Sequence, residues 1–523
     1  MSKAKWLLLF LVAICTAIPA YAVELSLGGF PSYMRTRARY FGNATFLSSI
    51  TDAQAEALGF SNADDNIFFV DTRLRLTPQL VLSDAVTIRA QVDVFDNVIW
   101  GGTTSALLGG RSTLVNSSIT TGDRFRGALL IGANAIDRGI GESDSTDDVQ
   151  FFNVRMLHAD IVLPSNLGFV RIGRQPFDWG LGILANGGWD PLSDLGFVLD
   201  RFLYLKSFPI GAGTFTFVFV SDIFTQGNTV VTANGNGYDI GAVALIYNTN
   251  VGGGNLTVGV YDFPYIHQNN LGTVCPGPPF GEGPGAPPGC GFGVDLDWAN
   301  LYSGLIDFKT DRFRLVGEIQ GEFGEIDAAG TTIDIENNII FAVRGEVYPG
   351  WPIKNISAEF GWADGGDVTD GDVKGGNEGG LVFNPAYNLD NLMFKHMIPT
   401  IYQIEGSVIN AFYARAWGTV KLLDNLSFTP QVVVAWNEET DNPLPNSGDV
   451  SRYLGTEVEG TLTVNVVPGV NLDIIGGLVF LGSGMEDLIE TQAANAGAVD
   501  PDAESVAWTA QARMIIYIDQ FFK

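Results

Sequence analysis

The sequence predicts an all-β chain closed into a single antiparallel transmembrane β-barrel of about 18 strands, with 16 as the alternative count. Three observations predict it: an export segment at the start, two-residue alternation of polar and apolar side chains, and alternation of short with long connections. Composition prepares the ground. The chain has 523 residues, 46% hydrophobic and 17% charged, with 64 Gly, 35 Phe, 15 Tyr and 10 Trp. Soluble domains carry roughly 25% charged residues, so this chain is short of charge. It is also far too aromatic to be disordered. A net charge of -29 repels phosphate and argues against nucleic acid as a partner. With 3 His and 3 Cys there is little to build a zinc, haem or iron–sulfur centre, and no cofactor is expected.

The export segment comes first. Lys3 and Lys5 form a basic start, Trp6 to Ile18 an apolar stretch, and Ala20-Tyr21-Ala22 a small-x-small cleavage site. Residues 1–22 therefore read as a signal peptide and 23–523 as the mature barrel with its loops. Cys15 follows the bulky Ile14, which does not suit a lipoprotein signal. After residue 22 no run of 18 apolar residues occurs, so no membrane helix is predicted.

The strands follow from alternation. In Met34–Tyr40, Arg35, Arg37 and Arg39 interleave with Met34, Thr36, Ala38 and Tyr40. In Val70–Leu76, Asp71, Arg73 and Arg75 do the same, and Val86–Val94 sets Thr87, Arg89, Gln91 and Asp93 against aliphatic neighbours. Later, Glu318, Gln320 and Glu322 alternate with Ile319 and Phe323, and Glu457 and Glu459 with Val458. Period two places each set on one face of a strand. Eighteen such segments run near 25–40, 66–80, 84–97, 150–164, 167–175, 197–207, 212–223, 237–249, 254–266, 294–310, 311–325, 336–349, 353–363, 404–422, 424–437, 451–467, 469–482 and 504–522. Every second connection is a tight turn, such as Ser165-Asn166, Asn250–Gly253 and Pro468-Gly469. Nearly all the others are long, including 98–149, 176–196, 267–293, 364–403 and 483–503. Short periplasmic turns opposite long extracellular loops are expected of a membrane barrel, whereas a soluble sandwich has no reason to sort its connections. Tyr40, Trp100, Trp298, Trp362, Trp436 and Trp508 fall near strand ends, where interfacial girdles form.

The last strand carries Trp508, Ala510, Ala512, Met514 and Ile516 on one face, and the chain ends Phe521-Phe522-Lys523. This ending resembles the C-terminal aromatic signal of outer-membrane barrels. The mature chain as a whole resembles a Gram-negative outer-membrane porin. Val170-Arg171-Ile172-Gly173-Arg174-Gln175, with Asp178-Trp179-Gly180 and Asp200-Arg201, is similar to barrels of the alginate-export and general porin type. Asp71–Trp100 resembles porin-like proteins of deltaproteobacterial type. The resemblance implies an outer-membrane location, with contacts to lipid and lipopolysaccharide. It also implies a water-filled channel for passive diffusion of small hydrophilic solutes, as a monomer or a homotrimer.

Candidate pore-lining residues divide by position. Arg35, Arg37, Arg39, Arg73, Arg75, Arg89, Arg155 and Arg171 lie in the first five strands, while Glu318, Glu322, Glu457 and Glu459 lie late in the chain. Two readings stay open: a transverse field with an arginine track for anions, or charges that pair with Asp71, Asp93, Arg344 and one another. No Ser or Asp stands at motif spacing to His158, His267 or His396, so no catalytic residue is assigned and no enzyme is expected. Asp364, Asp367, Asp370 and Asp372, spaced by glycines, could form a calcium loop or a solvated acidic one. The long loop 98–149 has the length to fold into the bore. Two further functions remain alongside the porin: a sheath around a multihaem cytochrome, or a polysaccharide exporter. The chain holds no Cys-x-x-Cys-His of its own, so any haem would belong to the partner.

Cys275 and Cys290 flank the Pro/Gly-rich tract Pro276–Gly289 and are the cysteines left after export, so they are expected to form a disulfide. Closing about 15 residues contributes roughly 3 kcal/mol in the loop-entropy model. The mature protein, denatured under non-reducing conditions, should therefore resist alkylation and take up two labels after reduction, as read by mass spectrometry.

Overall fold

The computed structural model describes residues 24–27, 30–43, 66–99, 152–194, 196–225, 237–239, 241–274, 292–328, 331–366, 381–402, 407–444, 446–495 and 502–521. The expected signal peptide, Cys275 and Cys290, all of loop 98–149 beyond the end of the strand at Ile99, and Asp367, Asp370 and Asp372 lie outside them. One antiparallel sheet contains every described strand. Three crossings are each built from two collinear pieces, so the twenty-one sheet segments make eighteen wall strands. They are β1 (Glu24–Leu27 and Tyr33–Gly42), β2 (Ile67–Leu76 and Pro78–Ser83), β3 (Val86–Ile99), β4 (Phe152–Leu163), β5 (Gly168–Pro176) and β6 (Val198–Ile210). Next come β7 (Gly213–Thr225), β8 (Gly237–Asp239 and Ala242–Val251), β9 (Gly254–Val274), β10 (Phe292–Lys309), β11 (Phe313–Ala328) and β12 (Thr331–Val347). The last six are β13 (Ile353–Ala363), β14 (Ala411–Leu423), β15 (Leu426–Asn437), β16 (Tyr453–Val467), β17 (Val470–Leu481) and β18 (Val506–Tyr517).

Each strand pairs with its sequence neighbours, and β1 pairs with β18 in the register Tyr33↔Tyr517 through Gly42↔Trp508. That pairing closes the cylinder. Closure is required because an unpaired edge in hydrocarbon would leave backbone groups at a cost of several kcal/mol each. The tight turns suit their sequences: Gly252 and Gly253 take φ of 58° and 80°, the left-handed pair that a two-residue hairpin turn needs.

The alternation has its physical meaning in the two faces of this wall. Outward-facing Met34, Leu157, Ile172, Val260, Ile319, Phe360, Ile474 and Met514 are 37–52% exposed, while inward Arg35, Arg37 and Arg39 are 0–2% exposed. A continuous apolar exterior around a charged interior belongs in a bilayer. Aromatic pairs mark the long-loop rim: Tyr40 and Trp508 at 4.9 Å, and stacked Phe412 and Trp436 at 5.2 Å. At the opposite rim the Tyr204 hydroxyl donates to the Leu167 carbonyl at 2.7 Å.

Two differences from the sequence reading concern strand length. The connection expected at 326–335 is largely strand, since β11 runs to Ala328 and β12 resumes at Thr331. β9 to β12 hold 21, 18, 16 and 17 residues, beyond the 9–11 that span a bilayer, so this arc stands above the membrane. The strand expected from 404 begins only at Ala411, because Ile398–Tyr402 is helical (α1) and packs inward. A second helix, α2 (Ser483–Asn495), buries Met485, Leu488 and Ile489 against the mouth.

Replacing Ile319 by Arg on the lipid face should destabilise the barrel by roughly 2–4 kcal/mol if the site lies near the bilayer midplane. Denaturant unfolding from liposomes, followed by heat-modifiable gel mobility, measures this.

Candidate functional site: the barrel interior

The described part of the interior is organised by two connections that fold into the bore, and neither is loop 98–149. One is the β5–β6 connection, 177–197; the other is 381–402 of the β13–β14 connection. A chain segment inside a barrel brings its backbone N–H and C=O groups out of bulk water, so each must find a partner. The wall charges supply those partners.

The arginines of the first strands take the carbonyls. Arg35 donates to the Pro191 and Ser193 carbonyls at 2.6 and 3.2 Å, and Arg73 to those of Ser193 and Asp194 at 2.9 and 2.7 Å. Arg75 donates to the Gly188 carbonyl at 2.7 Å while gripping Asp93 through two 2.6 Å bonds. Arg155 spans Gln91 and the Gly187 carbonyl, both at 2.7 Å. Between them Asp71 accepts from Arg37 and Arg39 at 2.8 and 2.7 Å. Asp194 sits against Arg35, Arg37 and Lys395 at 3.2, 2.6 and 3.2 Å. Burial alone would raise the Asp194 carboxyl, but Arg37, Lys395, Arg35 and Arg39 hold it well below the usual carboxylate range.

The later carboxylates take the N–H groups. Glu318, almost fully buried, accepts from the backbone N–H of Leu181, Gly182, Ile183 and Leu184 at 2.6–3.4 Å. Glu457 accepts from Asn391 and Met393 N–H at 3.2 and 2.8 Å, and Glu459 from Asn391 N–H at 2.6 Å. Gln431 bridges Glu459 and the Leu389 carbonyl at 2.8 and 3.0 Å. Asp390, inside the segment, accepts from Phe394 and Lys395 N–H at 3.0 and 3.1 Å.

The two segments meet in the bore: Asn384 N–H donates to the Ile183 carbonyl at 2.8 Å, and the Asn186 amide to that of Ala386 at 3.3 Å. Apolar packing completes the constriction. Phe383, Leu392, Met393, Phe394 and Met397 form a dry cluster against Tyr413, Val433 and Val479 of the wall. Phe177, Trp179 and Ala185 pack on Val218, Ala244 and Tyr261. The indole of Trp179 donates to Ser303 at 2.8 Å.

Every pore-lining candidate on the described strands faces inward, but their settings differ. Arg35, Arg37, Arg39, Arg73, Arg75 and Arg155 are sealed beneath the 177–197 segment rather than standing on an open wall. Arg89 and Arg171 converge on Asp160 at 3.0 and 2.6 Å and stay partly exposed. Glu322 is half-buried beside Asn338. Asp364 is half-buried, and its backbone N–H donates to the Ile339 carbonyl at 3.2 Å. His396 is buried edge-on to Phe41 at 5.3 Å, His158 lies beside Asp160 on β4, and the side chain of His267 is not described. Sequence reasoning missed the 381–402 segment. Its signal was the density of apolar residues, Leu381 to Tyr402, inside an otherwise polar loop.

No protein-family model matches the chain, and no curated protein matches it. Among solved structures it is similar to Acinetobacter baumannii OccAB3, with 10% identity over 93% of this chain and 98% of that one and a TM-score of 0.46. It is similar also to a BenF-like porin from Pseudomonas fluorescens, with 7% identity, the same coverages and a TM-score of 0.45. Salmonella typhi OmpF in complex with daunomycin gives 8% identity over 95% and 99%, and a TM-score of 0.39. At these values the barrel architecture stands on its own strand pairing, not on the likeness.

Asp390 gives the inner segment a pH response. Its burial and the nearby charge of Glu459 push its carboxyl up from 3.8 to about 7. A raised carboxyl pKa stabilises the folded state below 3.8, and that contribution is lost as pH climbs to about 7. Limited proteolysis within 381–402 should therefore accelerate as pH rises from about 4 to about 7 and level off above that. Asp390→Asn should flatten that dependence.

Proposed function

We propose that the protein is an outer-membrane channel of porin type, through which small hydrophilic solutes diffuse. The observation that carries this reading is the wall itself: a closed cylinder, apolar and exposed outside, charged and partly solvent-accessible inside. The tight-turn rim then faces the periplasm, and the acidic long loops face outward beside lipopolysaccharide. Below the two inward segments, Arg89, Arg171, Arg314, Asp307 and Arg344 keep 20–27% of their side-chain surface exposed, as an aqueous lumen requires. The inward segments occupy cross-section that an enclosed cytochrome or a polysaccharide chain would need, which favours small solutes over both. In that wetted part Arg89 and Arg171 share the single carboxylate of Asp160, and this surplus of positive charge supports a preference for anions.

The purified protein in planar bilayers should give conductance on the nanosiemens scale. In a potassium chloride gradient, its reversal potential should show chloride favoured. Ideal cation selectivity would overturn the anion preference, and copurifying haem without conductance would overturn the channel.

A further inference from the structure

One charge on the inner wall is set apart from the rest. On the described strands, each inward-facing arginine other than Arg415 has a carboxylate within ion-pair distance, as Arg314 has Asp307, Arg344 has Glu359 and Arg513 has Asp473. Arg415 of β14 has none among the described residues. The two acids near it are committed elsewhere. Glu359, its register partner, accepts from Tyr413 at 2.8 Å and Arg344 at 2.5 Å. Glu459 is taken by Asn391 and Gln431. Arg415 is nonetheless held in place. Its Nε donates to Gln431 at 2.9 Å, its Nη1 makes a long 3.4 Å contact with the Asn388 carbonyl, and its guanidinium lies 4.3 Å over the Trp417 ring. The Arg344 guanidinium approaches the same indole at 5.4 Å. Arg415 and Trp417 are both partly exposed, one and two inward rungs below the packed Tyr413 toward the tight-turn rim.

We propose that Arg415, seated on Trp417 and oriented by Gln431, is the station at which the channel binds the carboxylate of a small organic solute. The station deepens the channel reading and rests on it. Indole and amide fix the guanidinium plane before a solute arrives, which lowers the ordering cost of binding. The remaining N–H edge suits a planar two-oxygen anion. Glu459 stands on the far side of Gln431, so a second negative charge on the ligand would be opposed. The station therefore suits a singly charged carboxylate better than a phosphate dianion.

The mature protein is reconstituted in planar bilayers in potassium chloride and titrated with gluconate, with sorbitol as the neutral control. Gluconate should depress the chloride conductance saturably, and Arg415→Gln should raise the half-saturating concentration about tenfold, a loss of about 1.4 kcal/mol. Arg415→Lys, which keeps charge without the fork, should fall between. In detergent, gluconate should change the tryptophan fluorescence, and Trp417→Phe should abolish that change. Folding of each variant is checked by heat-modifiable mobility. Unchanged half-saturation in folded Arg415→Gln overturns the proposal. Equal saturation by inorganic phosphate overturns the carboxylate assignment. Absence of any chloride conductance would instead sink the channel reading, while the fluorescence titration still reports on the station.

Discussion

Backbone polar groups cannot be left unpaired in hydrocarbon, and the rest of this molecule depends on that constraint. It forces the sheet to close, here by the ten-residue register between β1 and β18. Closure separates two solvents across a wall one side chain thick. Alternation then stops being a tendency and becomes a sorting rule: a one-residue slip in β1 would turn Arg35, Arg37 and Arg39 into lipid.

The same accounting governs the inside, where two connections leave bulk water. Their carbonyls and amides are matched by charged groups of opposite sense, and such charge-assisted bonds are about twice as strong as neutral ones. A carboxylate taking four successive N–H groups, as Glu318 does, has nearly all its lone pairs in use. Losing one such partner would leave several buried donors open at once, at about 1–3 kcal/mol apiece.

This division of labour explains what was legible in the sequence. The eighteen strands, their order and their inward sides could be read because period two is local. Arg35 and Arg73 announce their face through Met34, Thr36 and Leu74. Their partners could not be read, because the Ser193 carbonyl and Asp194 reach them across the bore from a distant segment. Loop length drew attention to 98–149. The folding of 381–402 was instead written in hydrophobicity, in Phe383, Leu392, Met393, Phe394 and Met397, whose buried surface holds the segment against the wall. The pairing of Arg37 with Asp71 and Arg75 with Asp93 followed from register and was legible as one of two readings.

The separation of arginines early and carboxylates late in the chain invites an electrostatic reading, a field across the lumen. In the folded barrel most of that separation serves as a clamp. Guanidinium groups of β1, β2 and β4 hold the carbonyls of the 177–197 segment, and Glu318 of β11 holds its amides from the far wall. A charge engaged in this way cannot also turn to a passing ion without releasing the backbone it holds. The described wall charges not engaged in this way are partly exposed pairs such as Arg171 with Asp160, and Arg415 on its indole. On the proposed channel reading, selectivity is set by the few described wall charges that the inward segments leave unused. Neither the net charge of the chain nor the count of inward arginines predicts it.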